Sequence, residues 1–307
     1  MNPPDLAPPS PNRTAWARQP ERGSMAMLRL ITWISMVLGR RRARAVLHLV
    51  AGYFLLFAPT ARRSSRTYLT RVLGRPARIR HIYRHFLTFA ATVHDRIYLL
   101  NRRFDLFDIK VHHPEVIDAA IAAGQGVLLL GAHLGSFEVL RAVGRQHPDL
   151  RVVMVMYEQN ARRINAMLSA IHPGAGQDII PLGRMDSMIR VQEQLGNGAL
   201  VGLLGDRSFG LEKRQSIPFL GAPALWPSGP FRMAAILRRP MLFMVGLHTG
   251  PGRYEIFFDE LADFTNVGRT GREAALRGAM DEYVRLLDKY CHISPYNWFN
   301  FFDFWRG

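Results

Sequence analysis

Short apolar runs closed by glycine alternate along this chain with amphipathic stretches of helical period. The clearest run is VLLL at 127–130, followed by the turn Gly131 to Gly135 and a helical pattern opening near Ser136. It predicts a buried strand feeding a tight turn and a helix. The same reading places strands at 151–158, 178–183, 199–207 and 241–250, with an antiparallel edge strand at 254–261. Alternation over 104–111, with β-branched Ile109 and Val111, predicts the first strand. Helices are predicted at 114–123, 161–172, 185–198 and 269–292. Strands alternating with helices define an α/β fold with a mostly parallel, mixed sheet flanked by helices.

The first third is patterned differently. Residues 1–24 are proline-rich and lack apolar periodicity, which predicts a mobile tail. Two apolar runs follow, 25–39 and 45–59, with RRRAR (Arg40 to Arg44) between them. Each is short of the about 20 residues a helix needs to cross a bilayer. They are read as an interfacial helix pair or one marginal span; helices of a soluble bundle would carry the same pattern. Residues 64–101 are helical in period, with a break at Gly74-Arg75-Pro76. The predicted organisation is therefore a tail (1–24), a helical membrane-docking segment (25–103) and a catalytic α/β domain (104–307).

Charge sharpens that division. The chain of 307 residues carries a net charge of +16, and all of the excess lies in residues 1–104, which hold 19 Arg and no Lys against Asp5, Glu21 and Asp95. A basic, apolar segment ahead of a neutral domain suits docking on a polyanionic surface, best an anionic membrane. Nucleic acid is not expected, since no nucleic-acid-binding module is present. One cysteine, Cys291, excludes a disulfide framework. His112, His113 and Glu115 stand close in sequence, but no further ligand cluster accompanies them, so neither a metal nor another cofactor is expected.

The candidate chemistry sits at 131–138. His133 lies on the glycine turn and Glu138 five residues on. On one continuous helix they would stand about 140° apart, but a turn can fold the imidazole back onto the carboxylate. A carboxylate accepting one ring N–H leaves the other nitrogen free as a base. A second charged motif, Gly205-Asp206-Arg207, ends an apolar strand and is expected at the same sheet edge. Arg207 could hold a phosphate or an oxyanion, with Asp206 fixing it; an ordinary structural ion pair is the alternative. The stretch 217–240, rich in Pro, Gly and aromatics, is read as a loop whose Phe219, Leu220, Trp226 and Phe231 line an apolar cleft or else close the core. There is no G-x-S-x-G nucleophile elbow.

GAHLGSFE, the later GDR and PFLGAPALWPSGPFRMAAILRRP together resemble the bacterial lipid A biosynthesis acyltransferase family, of the lysophospholipid acyltransferase superfamily. The resemblance runs from about Met25 to Trp305. It implies a glycerolphosphate-acyltransferase-like fold at the cytoplasmic face of the bacterial inner membrane, peripheral or single-pass. The implied reaction moves a fatty acyl group from an acyl carrier protein or coenzyme A thioester to a hydroxyl on a lipid-type acceptor. His133 is then the base and Glu138 its partner, with Ser136, Gly205, Asp206, Arg207, Phe219, Gly221 and Trp226 binding substrate. The terminal segments are more similar to divergent members tied to aryl polyene or other specialised lipids, which leaves the acceptor open. The rival reading on the same fold is a non-catalytic lipid- or acyl-carrier-binding protein.

Overall fold

Seven strands form one mixed sheet in the order β1-β9-β8-β2-β5-β3-β4. They are β1 (Asp108–His112), β2 (Val127–Gly131), β3 (Val152–Tyr157), β4 (Ile179–Leu182), β5 (Leu200–Leu204), β8 (Pro240–Gly250) and β9 (Arg253–Asp263). β2, β3, β4, β5 and β8 run parallel, β9 runs antiparallel to β8, and β1 runs parallel to β9. A separate antiparallel hairpin joins β6 (Arg214–Phe219) to β7 (Ala222–Pro227). The computed structural model describes residues 25–140, 144, 151–157, 179–183, 186–208 and 212–306. The expected tail at 1–24 and helix at 161–172 lie outside the described residues.

β2 is the centre of the sheet. Val127, Leu128, Leu129 and Leu130 are all fully buried, so the strand is apolar on both faces, as a doubly covered parallel strand must be. Each such side chain contributes about 1.5–3 kcal/mol.

Two expectations need correction. The strand expected at the sheet edge is the second strand, because β1 covers it in register from Asp108↔Arg253 to His112↔Phe257. Its one-sided burial (Tyr254, Ile256 and Phe258 buried, their neighbours less so) mimics an edge strand in sequence. The stretch expected as a loop at 217–240 is the β6–β7 hairpin and a helix, Gly229–Leu237. Leu220 (φ 48°) and Gly221 (φ 76°) both take positive φ between the strands, the signature of the tightest hairpin turn.

Three helices pack beside the sheet: α1 (Met25–Phe57), α2 (Pro59–Val72) and α3 (Ile79–Leu100). The arginine stretch between the two apolar runs is helical, and α1 is kinked one residue earlier, at Gly39 (φ 76°, ψ 160°). Arg40 then grips both carboxylate oxygens of Asp95 on α3 at 2.9 Å, while Tyr254 of β9 donates to the same group at 3.1 Å. Buried His85 of α3 bridges Ser65 of α2 (2.9 Å) and the Trp298 carbonyl (2.8 Å). Among the described residues no single helix is long and apolar enough to cross a membrane; the pair Ala43–Phe57 and Pro59–Val72 passes that test only together and is bent by 97°.

Candidate active site

β2 and β5 are parallel neighbours with Gly131 opposite Leu204. His133 and Asp206 each lie two residues past those paired ends, so the sheet register alone sets them side by side at its C-terminal edge. The Asp206 Oδ1 is 2.8 Å from His133 Nδ1, and Oδ2 accepts the His133 backbone N–H at 3.0 Å. Two further donors converge on Oδ2: Trp298 Nε1 at 3.1 Å and Asn300 Nδ2 at 2.7 Å.

Charge follows from this geometry. Burial alone would raise the Asp206 pKa, but its contacts with His133 and the charge of Arg207 hold it well below the carboxylate range. An ionised carboxylate only accepts, so His133 Nδ1 carries the proton and Nε2 is the basic nitrogen. Burial first, then the Arg207 charge, lowers the His133 pKa against the pull of Asp206, which keeps the imidazole neutral at physiological pH. The ring is still 28% exposed.

Glu138 is not the partner of His133 here. It forms an ion pair with Arg96 of α3 (Nε to Oε1, 2.9 Å), and its side chain is 7% exposed. The residues after Ser136 first form a short 3₁₀ turn, Phe137–Val139, and that turn sends Glu138 toward α3. Arg96 acts on His133 through its charge, which lowers the imidazole pKa.

Arg207 also has a different role from the expected one. Its Nε donates to Asn300 Oδ1 (2.7 Å) and its Nη2 to the Phe299 carbonyl (3.2 Å). By occupying the Asn300 oxygen it turns the amide N–H₂ toward Asp206. Burial lowers its pKa to about 10, so it stays charged at neutral pH.

The loop is held by backbone contact. Gly135 (φ 72°) donates to the Asn297 carbonyl (2.8 Å), and Ser136 N–H donates to the Gly246 carbonyl (2.8 Å). A side chain at Gly135 would collide with the Gly246 carbonyl. Phe299 N–H closes the other side on the His133 carbonyl at 2.7 Å. Ser136 is buried. Gly205 donates to the Gly131 carbonyl at 3.0 Å, beside the Tyr283 hydroxyl that donates to the same carbonyl at 2.9 Å.

The expected cleft residues are core residues. Phe219, Trp226 and Phe231 are each 1% exposed and Leu220 is 7% exposed. Phe219 packs edge-on to Trp226 and Trp298 at 5.2 Å and stacks on Trp305 at 6.0 Å. Gly221 sits at the hairpin tip with open space around it. A tight turn and a filled aromatic core explain these residues without a ligand. His112 pairs with Glu255 (3.1 Å) and His113 with Glu115 (3.4 Å), two separate pairs. Among the described residues no group of three or more His, Cys, Asp or Glu is placed to hold a metal. A cavity of about 640 Å³ bordered by Asn197 and Arg239 lies at the opposite, N-terminal edge of the sheet.

Asn297, Trp298, Asn300 and Arg96 escaped the sequence reading. The only available signal was the pair of asparagines inside the aromatic tail PYNWFNFFDFW, polar groups with no reason to be there unless something buried needed donors.

The sequence pattern described as bacterial lipid A biosynthesis acyltransferase matches residues 14–306. The chain belongs to that family. No curated protein matches it. This member of the lipid A biosynthesis acyltransferases is therefore an acyltransferase, and the family's reaction is acyl transfer to a lipid acceptor. Lipid A acyltransferases are generally associated with the inner membrane.

Proposed function

We propose that this acyltransferase moves a fatty acyl group from a thioester of acyl carrier protein or coenzyme A to an acceptor hydroxyl, with His133 Nε2 as general base. The observation that carries the reading is the Asp206 carboxylate on His133 Nδ1. An alcohol is a poor nucleophile until its proton is removed, and a neutral imidazole has the pKa to remove it near pH 7. The acceptor oxygen gives its proton to Nε2 and bonds to the thioester carbonyl carbon. The C–S bond then breaks, and the sulfur leaves with the proton returned by the imidazolium. Asp206 stabilises that imidazolium and fixes the tautomer, so it is a positioning residue.

Direct transfer needs no nucleophile on the enzyme. Cys291, the one cysteine, is fully buried with its pKa pushed up by burial, which suits a packing role. Glu138 serves through Arg96, whose charge helps keep His133 neutral.

Membrane docking is proposed on α1. Val46, Leu49, Tyr53, Leu56 and Phe57 are exposed at 43%, 75%, 48%, 67% and 58%. Their spacing gathers them on one helical stripe about 100° wide, the width of an apolar face seeking a partner. We place that stripe in the interface of the inner membrane, with the arginine-rich segment against anionic headgroups. The test of the reaction is direct. Incubated with labelled acyl thioester and a lipid alcohol, His133→Ala should lose acyl transfer while thermal unfolding stays intact. Undiminished transfer would remove His133 from its role. A preference measured between acyl carrier protein and coenzyme A thioesters decides the donor.

A further inference from the structure

A second cavity, of about 400 Å³, lies on the same sheet edge, bordered by Arg44, Arg84, Thr88, His248, Ile293 and Tyr296. His248 lies near the C-terminal end of β8, which runs parallel to β2. The cavity adjoins the catalytic loop through one residue. Asn297 holds His248 by two hydrogen bonds (2.8 and 3.1 Å), while its carbonyl accepts the Gly135 N–H.

The charges around this cavity do not balance. Arg44 is half-buried and makes no hydrogen bond or ion pair among the described residues. Arg84 lies over the Tyr296 ring at 4.4 Å, with no carboxylate partner among the described residues. Asp95, whose charge acts on both Arg44 and His248, already accepts hydrogen bonds from Arg40 and Tyr254. The His248 Nε2 is buried without a hydrogen-bond partner among the described residues. That nitrogen is closed off from the cavity, so the residue serves as wall and the two guanidiniums are the charged donors that border the space. Two guanidiniums on different helices border the same cavity and present forked donors from separate directions, which matches a tetrahedral oxyanion better than a planar carboxylate. The Thr88 hydroxyl donates to the Arg84 carbonyl and helps set that helix turn rather than the anion.

We propose that this cavity is a phosphate-binding site, taking the phosphate of a phosphomonoester or phosphodiester. Its surroundings favour phosphate carried on a lipid: Leu87 and Ala91 line one wall, and exposed Ile293 forms part of the rim. The inference names a charged group for the lipid partner of the proposed reaction, yet it requires no acyl-transfer step.

Binding is therefore measured on the full chain carrying His133→Gln, so that a failure of the acyl-transfer reading and a failure of this one are separate results. The probes are inorganic phosphate, and vesicles of zwitterionic lipid with or without phosphatidic acid. Arg44→Gln and Arg84→Gln should each weaken phosphate or phosphatidic acid binding about tenfold or more, the loss expected for a charge-assisted contact. The pair Arg190→Gln/Arg269→Gln, exposed arginines outside both the cavity and the arginine-rich N-terminal segment, should leave it nearly unchanged. Inorganic phosphate binding with that same dependence means that the cavity reads the free anion as well. Selective loss with phosphatidic acid vesicles alone assigns it to the lipid headgroup. Equal losses from both sets of substitutions, or none from either, overturn the proposal. Unchanged thermal unfolding of each variant excludes misfolding as the cause.

Discussion

Asp206 holds His133 at two points, with Oδ1 2.8 Å from the ring Nδ1 and Oδ2 3.0 Å from the backbone N–H. One carboxylate thus sets both the position of the loop and the tautomer of its histidine. Asp206→Asn keeps the size of the group but places an amide against Nδ1, which favours the wrong tautomer. The expected result is a fall in kcat of about 10³-fold or more with a much smaller change in KM. A loss confined to KM would show that the contact serves binding instead.

Glu138 and Arg96 give a different signature. Because they pair with each other, removing either should disturb the same unit. Arg96→Gln, Glu138→Gln and the double variant should show similar activity losses, with the double no worse than the more damaging single. Full additivity of the two losses would mean that Glu138 acts independently of Arg96, as a direct partner of the base would.

The difference between these two carboxylates marks where the sequence stops being informative. The strand–turn–helix pattern around His133 placed it at a sheet edge, and the apolar run before Gly205-Asp206-Arg207 placed Asp206 at the same edge. Which carboxylate meets the imidazole depends on strand order, because only the adjacency of β2 and β5 brings residues 133 and 206 together. A short-range spacing such as H-x4-E contains no such information. Strand positions were legible for the same reason that Val127 to Leu130 are buried: a doubly covered strand must be apolar on both faces. The hairpin at 214–227 was not legible, since its buried Phe219 and Trp226 look the same in sequence whether they face a cleft or a core. The kink at Gly39 and the helical arginines beyond it depend on tertiary partners, Asp95 above all.

The pH dependence follows from the lowered pKa of His133. The base works when neutral, so activity falls only as pH drops through a pKa below the ordinary value of about 6.5. The acid limb of kcat/KM should accordingly lie below pH 6.5, with activity level through neutrality. Arg96→Gln removes a positive charge near the ring and should move that limb upward. A limb at or above pH 7 in the unsubstituted protein would contradict the assigned electrostatics.

Stability should respond to acid through His85. Burial lowers its pKa to about 4. A depressed pKa means that the folded state favours the neutral ring. Its contribution is fully present above the unfolded value near 6.5 and is lost as pH falls toward 4. The shift corresponds to something on the order of 3 kcal/mol at full loss. Urea midpoints measured from pH 7 to 4.5 should decline, and His85→Gln, although less stable throughout, should decline less steeply. Parallel slopes for the two proteins would assign the acid sensitivity to other groups.

Membrane docking on α1 combines two forces that salt separates. The stripe from Val46 to Phe57 buries apolar area, each fully inserted large side chain contributing about 1.5–3 kcal/mol, and that term is insensitive to ionic strength. The arginines act on anionic headgroups through a potential screened over about 10 Å at 0.1 M salt. Replacing Leu49 and Leu56, the two most exposed members of the stripe, with glutamine should therefore lower partitioning onto vesicles by at least tenfold at every salt concentration. Raising salt should weaken the unsubstituted protein's binding to anionic vesicles and leave its weaker binding to zwitterionic vesicles unchanged. Flotation of both proteins at 0.05 and 0.5 M salt measures the two contributions separately. If the glutamine variant floats as well as the unsubstituted protein at high salt, the exposed face of α1 is not the docking surface.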